Sequence, residues 1–342
     1  MKMIQKRLAP AVISTLALAV AAALPFAAEA HKPFMIPSET VLSRTGWITV
    51  DGAVGNDLFY FNHAPLRLDN LKVIGPDGQP VTPENVNTGK FRSTFELNLA
   101  TPGTYKLALT NSGLSGQYET ASGEKKRFRA GGGRGPGAAN SPGGQGSQGS
   151  ARPGGAAGPG GSNGAGDAGG PGRNAGGPAG TGPGGAGAAG GAGPGGGGNF
   201  TTEITADAKN IQITQQQSRN ETFVTAGKPN DTALQPTGVG LELVPVTHPN
   251  DLFAGEPITF KFVLDGKPAP NLEVEVVPGG TRYRNKQAET KFTTDKNGAI
   301  TMTWNDAGMY WLEASIEDDK PSDKKANKRR ASYVATFEVL PP

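Results

Sequence analysis

The sequence predicts an all-β protein: two immunoglobulin-like or prealbumin-like β-sandwich domains with a disordered Gly-rich insert. Three observations carry this. Short apolar runs, several of them alternating, are separated by Gly, Pro, Asn and Asp turn signals. No window shows a convincing helical period of 3.6. The second half alone holds seven such runs in about 100 residues, the spacing of a Greek-key sandwich.

The N-terminus reads as a secretory signal peptide over residues 1–30. Lys2, Lys6 and Arg7 form a positive region, Ala11 to Leu24 an apolar one, and Ala28-Glu29-Ala30 a small-x-small cleavage motif. Cleavage after Ala30 makes His31 the first residue and places the protein in the periplasm. No later stretch approaches the ~20 apolar residues of a membrane span. The chain has no cysteine, which excludes a lipoprotein anchor, disulfides and thiolate chemistry.

Charge argues against nucleic acid. The chain carries 33 Lys and Arg against 30 Asp and Glu. Removing Lys2, Lys6, Arg7 and Glu29 with the leader leaves 30 against 29, a balance with no basic excess for phosphates. Lys320 to Arg330 is locally basic, but Asp318, Asp319 and Asp323 beside it mark a solvated loop.

Three further segments follow the leader. Residues 31–129 with 199–230 form the first predicted sandwich. Its runs are Trp47 to Val50, Leu58 to Phe61, Leu71 to Ile74, Phe91 to Leu99 and Tyr105 to Leu109. Turns fall at Gly75-Pro-Asp-Gly78, Thr101-Pro-Gly103 and Asn111-Ser-Gly113. Residues 130–198 are the Gly/Ala/Pro-rich insert. With so little apolar surface to bury, it is expected to be disordered. Residues 238–342 form the second sandwich, with hairpin turns at Asp265-Gly266 and Asn297-Gly298. An internal echo links the two: Pro102-Gly-Thr-Tyr105-Lys-Leu107 matches Ala307-Gly-Met-Tyr310-Trp-Leu312.

The candidate chemistry lies in the only three histidines, His31, His63 and His248. A terminal His31 offers an α-amine and an imidazole that close one chelate ring. The amine titrates near ~8 and the imidazole near ~6.5, so a metal displaces their protons at neutral pH. His63 and His248 stand at loop-like positions and would complete a nitrogen-rich site for a transition metal ion such as Ni(II), Cu(II) or Zn(II). Asp57 and Asp251 are near in sequence, as orienting acceptors or as turn residues. Met35 and Met309 are soft donors for Cu(I) or core residues.

Other constellations are weaker. Glu273 and Glu275 share one face of a strand, as a solvated face would. Arg282 and Arg284 flank Tyr283, either to grip an anion or as an exposed strand end. No Cys nucleophile, nucleophile elbow or HExxH helix is present, so no enzyme is predicted. A histidine-brace copper oxygenase would need the same terminal site plus an open face.

Four motifs carry a resemblance: His31-Lys-Pro-Phe-Met-Ile-Pro-Ser38, Asn56-Asp-Leu-Phe59, Thr247-His-Pro-Asn-Asp-Leu252 with Gly255-Glu256, and Gly308-Met-Tyr-Trp-Leu312. The chain resembles the periplasmic proteins grouped as domain of unknown function 4198, which are similar to NikM-like components linked with nickel or cobalt uptake. The resemblance implies a β-rich periplasmic protein that handles Ni, Co or Cu and delivers it to a membrane transport partner. It carries over to His31 alone as a site residue. The alternative is a structural or adhesive envelope protein whose sheets bind protein or glycan.

Overall fold

The computed structural model describes residues 31–131 and 200–342. The expected signal peptide and nearly all of the expected insert lie outside the described residues. What is described is strands and turns, with two 3₁₀ turns at Thr232–Leu234 and Thr281–Tyr283. Among the described residues no helix is long and apolar enough to cross a membrane.

The first block contains twelve strands: β1 Lys32–Pro37, β2 Val41–Leu42, β3 Gly46–Gly55, β4 Ala64–Pro65, β5 Leu71–Ile74, β6 Pro80–Val81, β7 Glu84–Thr88, β8 Ser93–Leu99, β9 Gly103–Glu119, β10 Lys125–Gly131, β11 Phe200–Thr201 and β12 Lys209–Ala226. One sheet has the order β1-β3-β8-β7, with β4 beside β3. Its inner face follows the period-2 rule: Phe95, Leu97 and Leu99 are fully buried while Asn98 is exposed. These side chains meet Val73, Tyr105, Leu107 and Leu109 of β5 and β9, and Val224 of β12, in one core. Each large apolar residue so buried contributes about 1.5–3 kcal/mol.

The second block adds β13 Leu241–Pro245, β14 Pro257–Leu264, β15 Lys267–Pro268, β16 Glu273–Pro278, β17 Thr290–Thr293, β18 Ala299–Thr303, β19 Gly308–Asp318 and β20 Lys328–Val339. β13, β14, β15 and β18 form a small sheet. Its Phe260, Phe262 and Ile300 pack against Val274, Leu312, Tyr333 and Phe337 of β16, β19 and β20 in a second core. At the β14–β15 hairpin both Asp265 and Gly266 have positive φ, 50° and 74°, as a type I′ turn requires.

The two blocks share a sheet. β12 pairs antiparallel with β9 on one side and parallel with β20 on the other, so one eleven-stranded sheet runs through both cores. The described residues accordingly form one compact unit rather than separating at residues 230–238.

The internal echo is structural. The Tyr105 hydroxyl donates to the Thr101 carbonyl at 2.8 Å, and the Tyr310 hydroxyl donates to the Asp306 carbonyl at 2.8 Å. Both are tyrosine corners, a hydroxyl bonded back to the chain a few residues upstream. The glycine two residues before each tyrosine holds a matching φ, 136° at Gly103 and 140° at Gly308.

Two expectations are corrected. Leu58 to Phe61 is not a strand but a turn. Its apolar side chains are spent on a local cluster: Leu58 is buried, and the Phe59 and Phe61 rings lie 5.4 and 5.9 Å from that of Phe34. Asn111-Ser-Gly113 is not a turn, because β9 continues through it to Glu119. Pairing of Ser112 with Gln217 and of Gly113 with Gly131 holds it extended from both sides.

Candidate metal centre

The site is set by the register of three strands. His31 immediately precedes β1, whose Lys32 pairs with Gly55. His63 immediately precedes β4, whose Ala64 pairs with Val54. Both histidines are therefore delivered to the same end of β3. Their rings stack, with 3.7 Å between centroids and 14° between planes.

The turn between β3 and β4 holds His63 in place. Asn62 accepts from the Asn56 amide (2.8 Å) through Oδ1 and donates to Asp57 Oδ2 (2.9 Å) through Nδ2. Phe59 sits in the left-handed region at φ 66°. Gly55 is required at the start: a Cβ there would lie 2.5 Å from the Asp57 carbonyl oxygen and 2.7 Å from that of Tyr60. The Leu58 amide donates to Thr281 Oγ1 at 3.0 Å, pinning the turn to the second block. Asn62 was not legible as part of the site, since its contacts are all to the folded turn.

His31 is exposed, whereas His63 is half-buried. Nε2 of His63 is buried and has no hydrogen-bond partner among the described residues. Burial first, and the charge of His31 second, push the His63 pKa below its ordinary value of 6.5. The neutral, metal-competent imidazole is thereby favoured.

His248 stands apart. Its Nε2 is 2.9 Å from Thr104 Oγ1, and its Nδ1 accepts from the Asn250 amide at 3.2 Å. Nδ1 as acceptor assigns the proton to Nε2, which donates to Thr104. Thr104 in turn meets Thr225, whose amide donates to the Thr40 carbonyl just beyond β1. His31 lies at the opposite end of β1, a six-residue strand that spans about 20 Å at ~3.3 Å per residue. Burial lowers the His248 pKa, and the charges of Asp231 and Asp251 partly offset this. His248 is thus a hydrogen-bonded joint between the blocks. Among the described residues no three His, Cys, Asp or Glu side chains are grouped to hold a metal ion.

The remaining candidates have local duties. Asp57 takes Asn62 and lies 3.7 Å from Arg282 Nε. Met35 is fully buried in the first core, and Met309 is half-buried. Glu273 pairs with Lys291 at 2.7 Å on the surface, and Glu275 lies opposite Glu313. Arg282 and Arg284 do not share a strand face, because the chain forms a 3₁₀ turn there. The Arg282 guanidinium covers the Tyr60 ring at 4.3 Å. Arg284 donates to the carbonyls of Pro278, Gly279 and Gln287.

Fold and site together define a β-rich protein with a paired-imidazole site at one sheet end. The chain belongs to the family described as domain of unknown function (DUF4198), whose model matches residues 28–318. No curated protein matches it. Among solved structures, trypsin activated alpha-2-macroglobulin from Escherichia coli is similar at 12% identity, over 90% of this chain. The chain spans only 16% of that one's length, and the TM-score of 0.17 is too low to carry an argument.

Proposed function

We propose that this is a periplasmic protein, cleaved after Ala30, that binds a transition metal ion through His31 and His63 and delivers it to a membrane transport partner. The carrying observation is the buried, unpartnered Nε2 of His63 stacked against His31. A buried polar nitrogen without a partner costs about 1–3 kcal/mol, and a metal ion relieves that cost. Stacked rings direct their lone pairs side by side, not at one point. His31, exposed and at the start of the mature chain, is free to rotate until its amine, its imidazole and His63 converge. Three nitrogen donors suit Ni(II), Co(II) and above all Cu(II). The proposed role is binding and delivery, not catalysis, and the two face-to-face sheet pairs are read as immunoglobulin-like sandwiches. The resemblance to uptake-associated proteins supports the metal, and His248 is left out because both its ring nitrogens are engaged.

The test is titration of leader-cleaved protein, its first residue confirmed by intact mass, with Ni(II), Co(II) and Cu(II). His31→Ala, His63→Ala and a form with one glycine added before His31 are each expected to bind at least tenfold more weakly, about 1.4 kcal/mol. The added glycine keeps every side chain and moves only the amine. Wild-type affinity in all three would remove the reading.

A further inference from the structure

A polar cavity of about 150 Å³ opens where the first block meets the 281–287 loop. Lys32, Asp57 and Leu58 line one wall, and Thr281, Arg284 and Lys286 the other. We propose that it binds a small polycarboxylate anion.

Charge carries the argument. Three cationic residues, Lys32, Arg284 and Lys286, line the cavity against one carboxylate, Asp57, and the Lys32 charge is also felt by Glu313. The Asp57 carboxylate is already held by the Asn62 amide and approached by Arg282. Arg284 bonds only to neutral backbone carbonyls, which leave its charge uncompensated. Among the described residues neither Lys32 nor Lys286 forms an ion pair with a carboxylate. Like charges gathered around one cavity repel each other and concentrate anions there, with Arg284 and Lys286 open to solvent so that an anion reaches them directly.

The walls are preformed. Leu58 to Thr281 ties them together, and the Arg284 bonds set the shape of the second wall. Lys32 is directed by its Nζ lying over the Trp311 ring, 5.2 Å from the centroid. The size selects a small ligand, since drug-sized ligands occupy roughly 300–1,000 Å³. Lys32 comes from β1 and Arg284 and Lys286 from the 281–287 loop, so a molecule with carboxylates at two ends reaches both segments better than a single phosphate does.

The inference stands independently of the metal reading and is tested on metal-free protein. Leader-cleaved protein is passed over chelating resin, and citrate and inorganic phosphate are titrated at equal ionic strength. Citrate is expected to bind, more tightly than phosphate. The Lys32→Ala/Lys286→Ala variant, checked for an unchanged near-ultraviolet circular dichroism spectrum, is expected to bind it at least tenfold more weakly. A Lys324→Ala/Lys325→Ala variant removes the same charge elsewhere and should match wild type. No citrate binding, equal binding by the pocket variant, equal loss in the control, or tighter phosphate binding would each overturn the proposal.

Discussion

The His63 imidazole lies against that of His31, 3.7 Å between centroids, with its Nε2 buried and unpartnered. This contact favours a neutral His63 ring, because its protonation places positive charge at a half-buried position beside a second imidazole. The His63 pKa is accordingly lowered, by burial first and by His31 second. In the unfolded chain His63 takes up a proton near pH ~6.5, while the folded protein resists it. Stability from this group is therefore full above about 6.5 and falls as pH drops toward the folded pKa. NMR titration is expected to place His63 below 6.5, and His31→Ala to raise it. A His63 value at or above 6.5 in the wild type would contradict this account.

His248 has a structural part that separates it from the metal pair. Removing its ring deletes the bonds to Thr104 and Asn250 at the joint between blocks. His248→Ala is expected to cost about 1–3 kcal/mol in urea unfolding. Its metal affinity should equal that of the wild type. A tenfold affinity loss would instead return His248 to the ligand set.

The two tyrosine corners make a matched pair of tests. Tyr310→Phe removes one 2.8 Å hydroxyl-to-carbonyl bond; Tyr105→Phe removes the same bond and also the one its hydroxyl accepts from the Thr101 amide at 3.0 Å. Each should lower stability by about 1 kcal/mol. The corners sit in different cores, so the double variant should be additive within about 0.5 kcal/mol. Shifts in the urea midpoint measure both.

Arg219 holds a buried ionic network together. It contacts Glu221 and Glu242 at 3.1 Å each, and Glu221 also accepts from the Tyr333 hydroxyl at 2.8 Å. Arg219, Glu221 and Glu242 are 8%, 3% and 2% exposed, so neither carboxylate can turn to water. Arg219→Ala is expected to destabilise by about 3–5 kcal/mol, as for any broken buried ion pair. A change under 1 kcal/mol in thermal or urea unfolding would show that the carboxylates find other partners.

Much of the β architecture was readable in local pattern. Ser93 to Leu99 alternates as a half-buried strand must, and Asp265-Gly266 turns where two positive φ values are needed. The misreadings have a common source. Leu58, Phe59 and Phe61 look like strand residues, yet Phe34 gathers them into a turn core. The polar stretch Lys209 to Gln217 carries little strand signal. It is a strand because β9 pairs along it and β20 joins on the other side from Thr214, and Gln215 is buried with its amide bonded to Ser322.

The paired site was half legible. Scarcity of histidine and the place of His31 behind a cleavage motif marked the candidates without any structure. Alternation, turn residues and the repeated Gly-x-Tyr-x-Leu are local properties, fixed by backbone sterics within a few residues, and the chain alone determines them. Which histidines meet is decided by strand register, a long-range choice that buries the whole core at once. That choice brings His31 to His63 across the end of β3 and commits His248 to Thr104 at the far end of β1.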